Sequence, residues 1–171
     1  MKISKGKLKI VLPDIIFVAV MIFFQFNPLF SIRIGGANPM LPLAAIIVIS
    51  VFSSELYAVF AGLIAGMFCD SVSNTDFGFN AVTFILIGFA VSFIMHYLFN
   101  NNVRSAVALS ILASLFYFAL KWLFFNAIGH SAADSFIYLY RAAIPSAIYT
   151  AASAIPFYFL KKHIMKKAHL L

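Results

Sequence analysis

Asp70 and Asp76 lie in a short polar stretch, DSVSNTDFG, set between two apolar runs. A carboxylate pair can act as general acid and base, but it needs a reacting group within hydrogen-bond reach. No nucleophile motif or metal motif stands beside these two. Asp, Asn, Ser and Gly together are ordinary turn chemistry, so a solvated turn is the plain expectation. Asp70 has a second reading. Ala58, Gly62 and Gly66 recur every four residues, and Asp70 is the next step of the same stripe. Four-residue spacing stacks side chains on one helix face. Small residues at that spacing let two membrane helices approach closely. Asp70 then ends a packing face, where it would orient a helix or contact a partner.

The other polar candidates are sparse. Lys121 is the one basic residue well inside an apolar segment. A lysine at the centre of a membrane helix costs about 2.5–3.5 kcal/mol, so it faces the bundle or a watery cavity. The expected roles are a counter-ion for Asp70 or Asp134, a ligand contact, or a side chain that snorkels to the headgroups. His96, His130, His163 and His169 show no metal-ligand spacing, and Cys69 is the single cysteine. That excludes an internal disulfide and gives no metal signature. No phosphate-binding glycine loop, serine elbow or zinc motif is present. The residues point away from an enzyme and call for no cofactor and no metal.

The elements that carry these residues follow from composition. Of 171 residues, 64% are hydrophobic and 10% charged, and the mean hydropathy is +1.03. A soluble fold of this length could not hide that much apolar surface. The expectation is an all-α, polytopic membrane protein with one membrane domain over residues 1–171. Six transmembrane helices are expected, at about 12–26, 39–53, 55–70, 79–99, 104–126 and 141–160. Pro13 suits a first helical turn, and Asp14 there complements the helix dipole. The basic start lacks a cleavage site after its apolar run, so the first segment is expected to stay as a helix. The second and third spans look short, since roughly 15 residues cover some 23 Å of a ~30 Å core. Gly78 marks the turn into the fourth span, where Gly88, Ser92 and His96 share a face. In the last span Ala142, Ser146, Thr150 and Ala154 recur every four residues, with Pro145 and Pro156 near its ends. This is the longest small-residue face, so that helix is expected to be the most closely packed.

The formal charge of +7 does not indicate nucleic acid. Eight of the twelve basic residues are terminal: Lys2, Lys5, Lys7, Lys9, Lys161, Lys162, Lys166 and Lys167. Such flanks set topology and meet anionic lipid headgroups. Both termini are therefore expected in the cytoplasm, which requires an even number of spans. The inner side then holds these eight lysines and Arg104, against Arg33 and Arg141 outside.

The run GLIAGMFCDSVSNTDFGFNAVTFILIG resembles the MreD family, the integral membrane subunit of the bacterial rod-shape system, at Gly62, Gly66, Asp70, Gly78 and Ala81. Pro145, Tyr149 and Pro156 of the last helix and the proline-led segment Asn38 to Leu43 fit the same family. Lys121 is not part of that resemblance. The resemblance implies a non-enzymatic protein of the bacterial inner membrane. Such a protein binds the bitopic scaffold MreC and helps couple MreB filaments to RodA and its partner transpeptidase in peptidoglycan synthesis. It also implies a fold like that of the substrate-binding components of energy-coupling-factor vitamin transporters. A transporter subunit of that kind is the alternative. The first span weighs against it, because Ala19 is its only small residue where a docking face needs several.

Overall fold

The structure is a computed structural model that describes residues 5–27, 37–73, 78–98, 103–127 and 139–167. Six α-helices run in chain order: α1 (Lys5–Phe26), α2 (Leu41–Val51), α3 (Glu55–Ser73), α4 (Phe79–Tyr97), α5 (Val103–Trp122) and α6 (Ile144–Lys167). α5 widens into a π turn over Leu123–Ala127, and a second π turn, Leu139–Ala143, leads into α6. Four helical stretches are long and apolar enough to cross a membrane: Glu55–Ser73, Phe79–Tyr97, Val103–Phe125 and Tyr140–Lys166. Val11–Phe26 and Leu41–Val51 are shorter apolar helices.

The most extensive helix contact is α3 against α4. Its cause is the four-residue stripe. A Cβ on Gly66 would lie 2.4 Å from the Ala81 Cα, and one on Gly62 would lie 2.5 Å from the Phe84 carbonyl oxygen. Across the same seam, a Cβ on Gly88 would lie 2.9 Å from the carbonyl oxygen of Ala58. Backbone therefore meets backbone along three successive turns, which only residues without a side chain permit. The expectation that the last helix packs most closely is corrected here: its Ala, Ser and Thr carry a Cβ that holds neighbours further away. α3 is also not short. It continues through Asp70 to Ser73, past the expected end at residue 70.

α2 is the central helix. Every residue from Pro42 to Val51 is buried, as expected of a helix that is apolar on all sides. It is helical for 11 residues, fewer than the span 39–53 suggested. Pro42 sits in its first turn, where a missing N–H costs nothing. The residues before it, Ala37–Met40, are not helical. The α2–α3 turn is held by the Ser92 hydroxyl, which donates to the Ser53 carbonyl at 2.6 Å. The Ala58 N–H donates to the Ser54 carbonyl at 2.9 Å, closing the first turn of α3.

The first and last helices extend beyond their expected limits. α1 begins at Lys5, so Pro13 lies inside it rather than in its first turn. Asp14 is correspondingly too far from the N-terminus for a dipole role. α6 continues through Lys161 and Lys162 to Lys167, so these lysines are carried on the helix itself. Phe17 of α1 meets Phe157 of α6 edge to face, with centroids 5.1 Å apart.

Candidate functional site

Three polar clusters tie the bundle together. The first lies where α3 ends and α4 begins. Gly78 occupies the position before α4 with φ of 77° and offers no side chain to cap the helix. The first N–H groups of a helix need acceptors, and a cap normally serves the second and third helical residues. Asp70 does this from the neighbouring helix. Its Oδ1 accepts from the Asn80 N–H at 3.1 Å, and its Oδ2 accepts from the Ala81 N–H at 2.9 Å. A carboxylate there also meets the positive end of the helix dipole. Oδ1 accepts a further bond from Asn80 Nδ2 at 2.8 Å. The Tyr117 hydroxyl of α5 donates to Asn80 Oδ1 at 2.7 Å. Asn80 and Tyr117 are each 1% exposed. The Tyr117 ring is fixed by Phe79, Phe84 and Phe118, with centroids 5.9, 5.9 and 5.1 Å away. Asp70 thus belongs to a helix-joining network, not to a solvated turn.

The second cluster supports the non-helical backbone before α2. The Asn38 N–H donates to Ser146 Oγ at 3.0 Å, and the Met40 N–H donates to Thr150 Oγ1 at 2.9 Å. The Leu41 N–H donates to Gln25 Oε1 of α1 at 2.9 Å. Two extended residues span at most about 7 Å, and four helical residues rise about 6 Å. Residues 38 and 40 therefore meet residues 146 and 150 in register. Irregular backbone at membrane depth persists only where protein satisfies its polar groups. Ser146 and Thr150, expected as packing positions, act here as acceptors as well.

The third cluster was not anticipated. Lys161 Nζ of α6 pairs with Asp14 Oδ1 of α1, and both side chains are buried. The Tyr57 hydroxyl of α3 donates to Asp14 Oδ2 at 3.0 Å. Three helices meet at this carboxylate. The sequence signal was an aspartate inside an apolar run and a lysine at the end of another. Each stands near the end of its apolar run, where a flanking charge is ordinary, and 147 positions separate them.

The remaining candidates are placed separately. Lys121 is half-buried in the last turn of α5, where a cation suits the dipole. Pro145 occupies the first turn of α6. His96 is exposed at the end of α4. Asp76, His130, Asp134 and His169 lie outside the described residues. No group of three or more His, Cys, Asp or Glu able to hold a metal occurs among the described residues.

These features define a polytopic helical membrane protein whose buried polar groups join one helix to another. A family model for the rod shape-determining protein MreD matches residues 5–168. The chain belongs to the MreD family and is an integral membrane protein of rod-shape determination. No curated protein and no solved structure matches it.

Proposed function

We propose that this chain is a non-enzymatic assembly subunit of the bacterial cell-elongation complex. It sits in the inner membrane, binds MreC, and helps couple MreB filaments to peptidoglycan synthesis by RodA and its partner transpeptidase. Binding of RodA, the transpeptidase and MreB is indirect or weaker than that of MreC; lipids surround the bundle, and nucleic acid is not a partner. The match to the MreD family over residues 5–168 carries this reading. The polar geometry supports it: the Asp70, Asn80 and Tyr117 groups are engaged with one another, as in a scaffold, and not arranged around a cavity for a substrate.

Both termini are assigned to the cytoplasm. Asp14 early in α1 meets Lys161 late in α6, which supports ends on one side of the bundle. The basic residues at both ends select the inner side. Reporter fusions at both termini should report cytoplasm, and opposite sides would overturn this topology.

The direct test is purification of the tagged protein from its host in mild detergent, with bound proteins and small molecules identified by mass spectrometry. Recovery of MreC or other elongation proteins without a stoichiometric vitamin is the expected result. Recovery of paired ATPases with a bound vitamin would replace this reading by that of a transporter subunit.

A further inference from the structure

α5 and α6 pack against each other and bring basic residues together at one end of the bundle. Val103, the first residue of α5, and Tyr158, late in α6, line one small apolar cavity between these helices. Arg104 follows Val103 and is exposed. Lys162 lies one turn beyond Tyr158 and is half-buried, with Nζ 5.9 Å from the centre of the Tyr158 ring. Lys166 is exposed one turn further on. Four-residue spacing puts Tyr158, Lys162 and Lys166 on one face of α6, about 6 Å apart along the axis. Arg104, beside Val103, stands at the foot of that face.

These three cations have no carboxylate among them. The acids among the described residues are Asp14, Glu55 and Asp70. Lys161 and Tyr57 occupy Asp14, and Asp70 caps α4. Among the described residues no ion pair joins Glu55 to Arg104, Lys162 or Lys166. Helix polarity does not account for the set either. A cation suits the last turn of α6 but not the first turn of α5. An anion between the two helices would offset the repulsion.

The surroundings select the kind of anion. Arg104 stands at the start of the apolar stretch Val103–Phe125, and Lys162 and Lys166 stand at the end of Tyr140–Lys166. That is the level where hydrocarbon gives way to headgroups. Val107 and Ile111 continue from Arg104 towards the membrane centre, and Phe159 and Ile155 continue from Lys162, at three- and four-residue spacing. Ile111, Ile155 and Phe159 are exposed. Cations at the end of an exposed apolar strip suit a molecule with an anionic head and apolar tails. An acidic protein segment would use the cations alone.

We propose that Arg104, Lys162 and Lys166 form a site for the phosphate headgroup of an anionic phospholipid, whose acyl chains lie along Val107, Ile111, Ile155 and Phe159. The Tyr158 ring holds the Lys162 ammonium by a cation–π contact and so orders it before the lipid arrives. The leaflet is the inner one under the topology proposed above, and the chemistry of the site does not depend on that assignment.

Native mass spectrometry of the whole protein, with phosphatidylglycerol or phosphatidylcholine of the same chains added to the micelle, tests the site. The wild type should hold one phosphatidylglycerol at concentrations where it holds no phosphatidylcholine. Each basic group beside an anionic headgroup contributes a factor of about five, so Arg104→Gln/Lys162→Gln/Lys166→Gln should bind roughly 100-fold more weakly. Lys5→Gln/Lys7→Gln/Lys9→Gln removes the same charge from α1 and should bind as the wild type does. Should the first triple variant not accumulate, Lys162→Gln alone should bind about five-fold more weakly. Equal loss in the α1 variant would mean diffuse surface charge and overturn the site. Phosphatidylcholine held as well as phosphatidylglycerol, or neither lipid held by the wild type, would overturn it too. So would displacement of the lipid by inorganic phosphate at equal concentration, since the tails would then contribute nothing. Reporter fusions that place the termini outside would move the site to the other leaflet and leave it standing.

Discussion

Lys161 donates to the Asp14 carboxylate across 147 positions of sequence, joining the last helix to the first. The Tyr57 hydroxyl holds the second oxygen of the same carboxylate. Removing one partner of a buried pair leaves a charge in an apolar setting, which costs about 3–5 kcal/mol. Asp14→Leu and Lys161→Met should each lower the thermal stability of the detergent-solubilised protein by an amount of that order. The double variant Asp14→Leu/Lys161→Met removes both charges and should recover most of the loss, because well-packed apolar pairs often replace buried ion pairs. Simple addition of the two single losses would show that the charges do not act as a pair.

The glycine seam makes a second, graded prediction. Gly66→Ala should force α3 and α4 apart, since its Cβ would meet the Ala81 backbone at 2.4 Å. Gly66→Leu should be worse and reduce accumulation in the membrane. Gly88→Ala, with its nearest atom at 2.9 Å, should be milder. Gly78→Ala meets nothing within 4 Å but must adopt φ of 77°. That conformation costs roughly 1–2 kcal/mol for a residue with a Cβ. Melting temperatures in the order Gly78, Gly88, Gly66, from highest to lowest, check the argument. Equal values would mean that the helices are not packed backbone to backbone.

The stripe Ala58, Gly62, Gly66 and Asp70 was readable because a four-residue period and a lack of Cβ are local properties with one packing consequence. The six apolar helices were readable from hydropathy. Long-range polar pairing was not. Nothing near Asp14 or Lys161 announces the other, and both look like flanking charges. Ser146 and Thr150 read as small residues for the same reason. Their hydroxyls become acceptors only because the chain before α2 stays extended, which depends on a register between segments 108 and 110 residues apart.

The Asp70 cap should respond to charge and to shape separately. Asp70→Ala leaves the Asn80 and Ala81 N–H groups without their acceptor. Loss of a cap costs about 0.5–2 kcal/mol. Asp70→Asn keeps one acceptor and should lose less. Tyr117→Phe retains the ring packing but strands Asn80 Oδ1, at a cost of about 1–3 kcal/mol for a buried acceptor left unpaired. Combining Tyr117→Phe with Asp70→Ala should cost less than the sum, because both act through Asn80. Strict additivity in a thermal-melt cycle would mean that the three residues are not one network.

The extended backbone before α2 gives the last prediction. Thr150→Val preserves shape and removes the oxygen that accepts the Met40 N–H at 2.9 Å. Ser146→Ala does the same for the Asn38 N–H at 3.0 Å. An amide that loses its acceptor costs about 1–3 kcal/mol where it is buried, so Thr150→Val, at the partly buried Met40, should cost more than Ser146→Ala, at the exposed Asn38. Thr150→Ser keeps the acceptor and should stay near wild type, which separates loss of the bond from loss of packing. The sharper reading is local. Amide hydrogen exchange at residues 38 and 40 should rise in Ser146→Ala and Thr150→Val respectively, each at its own partner. Exchange that rises equally at both sites in either variant would mean that the segment opens as a unit. Exchange unchanged in both would show that these hydroxyls do not hold the segment against α6.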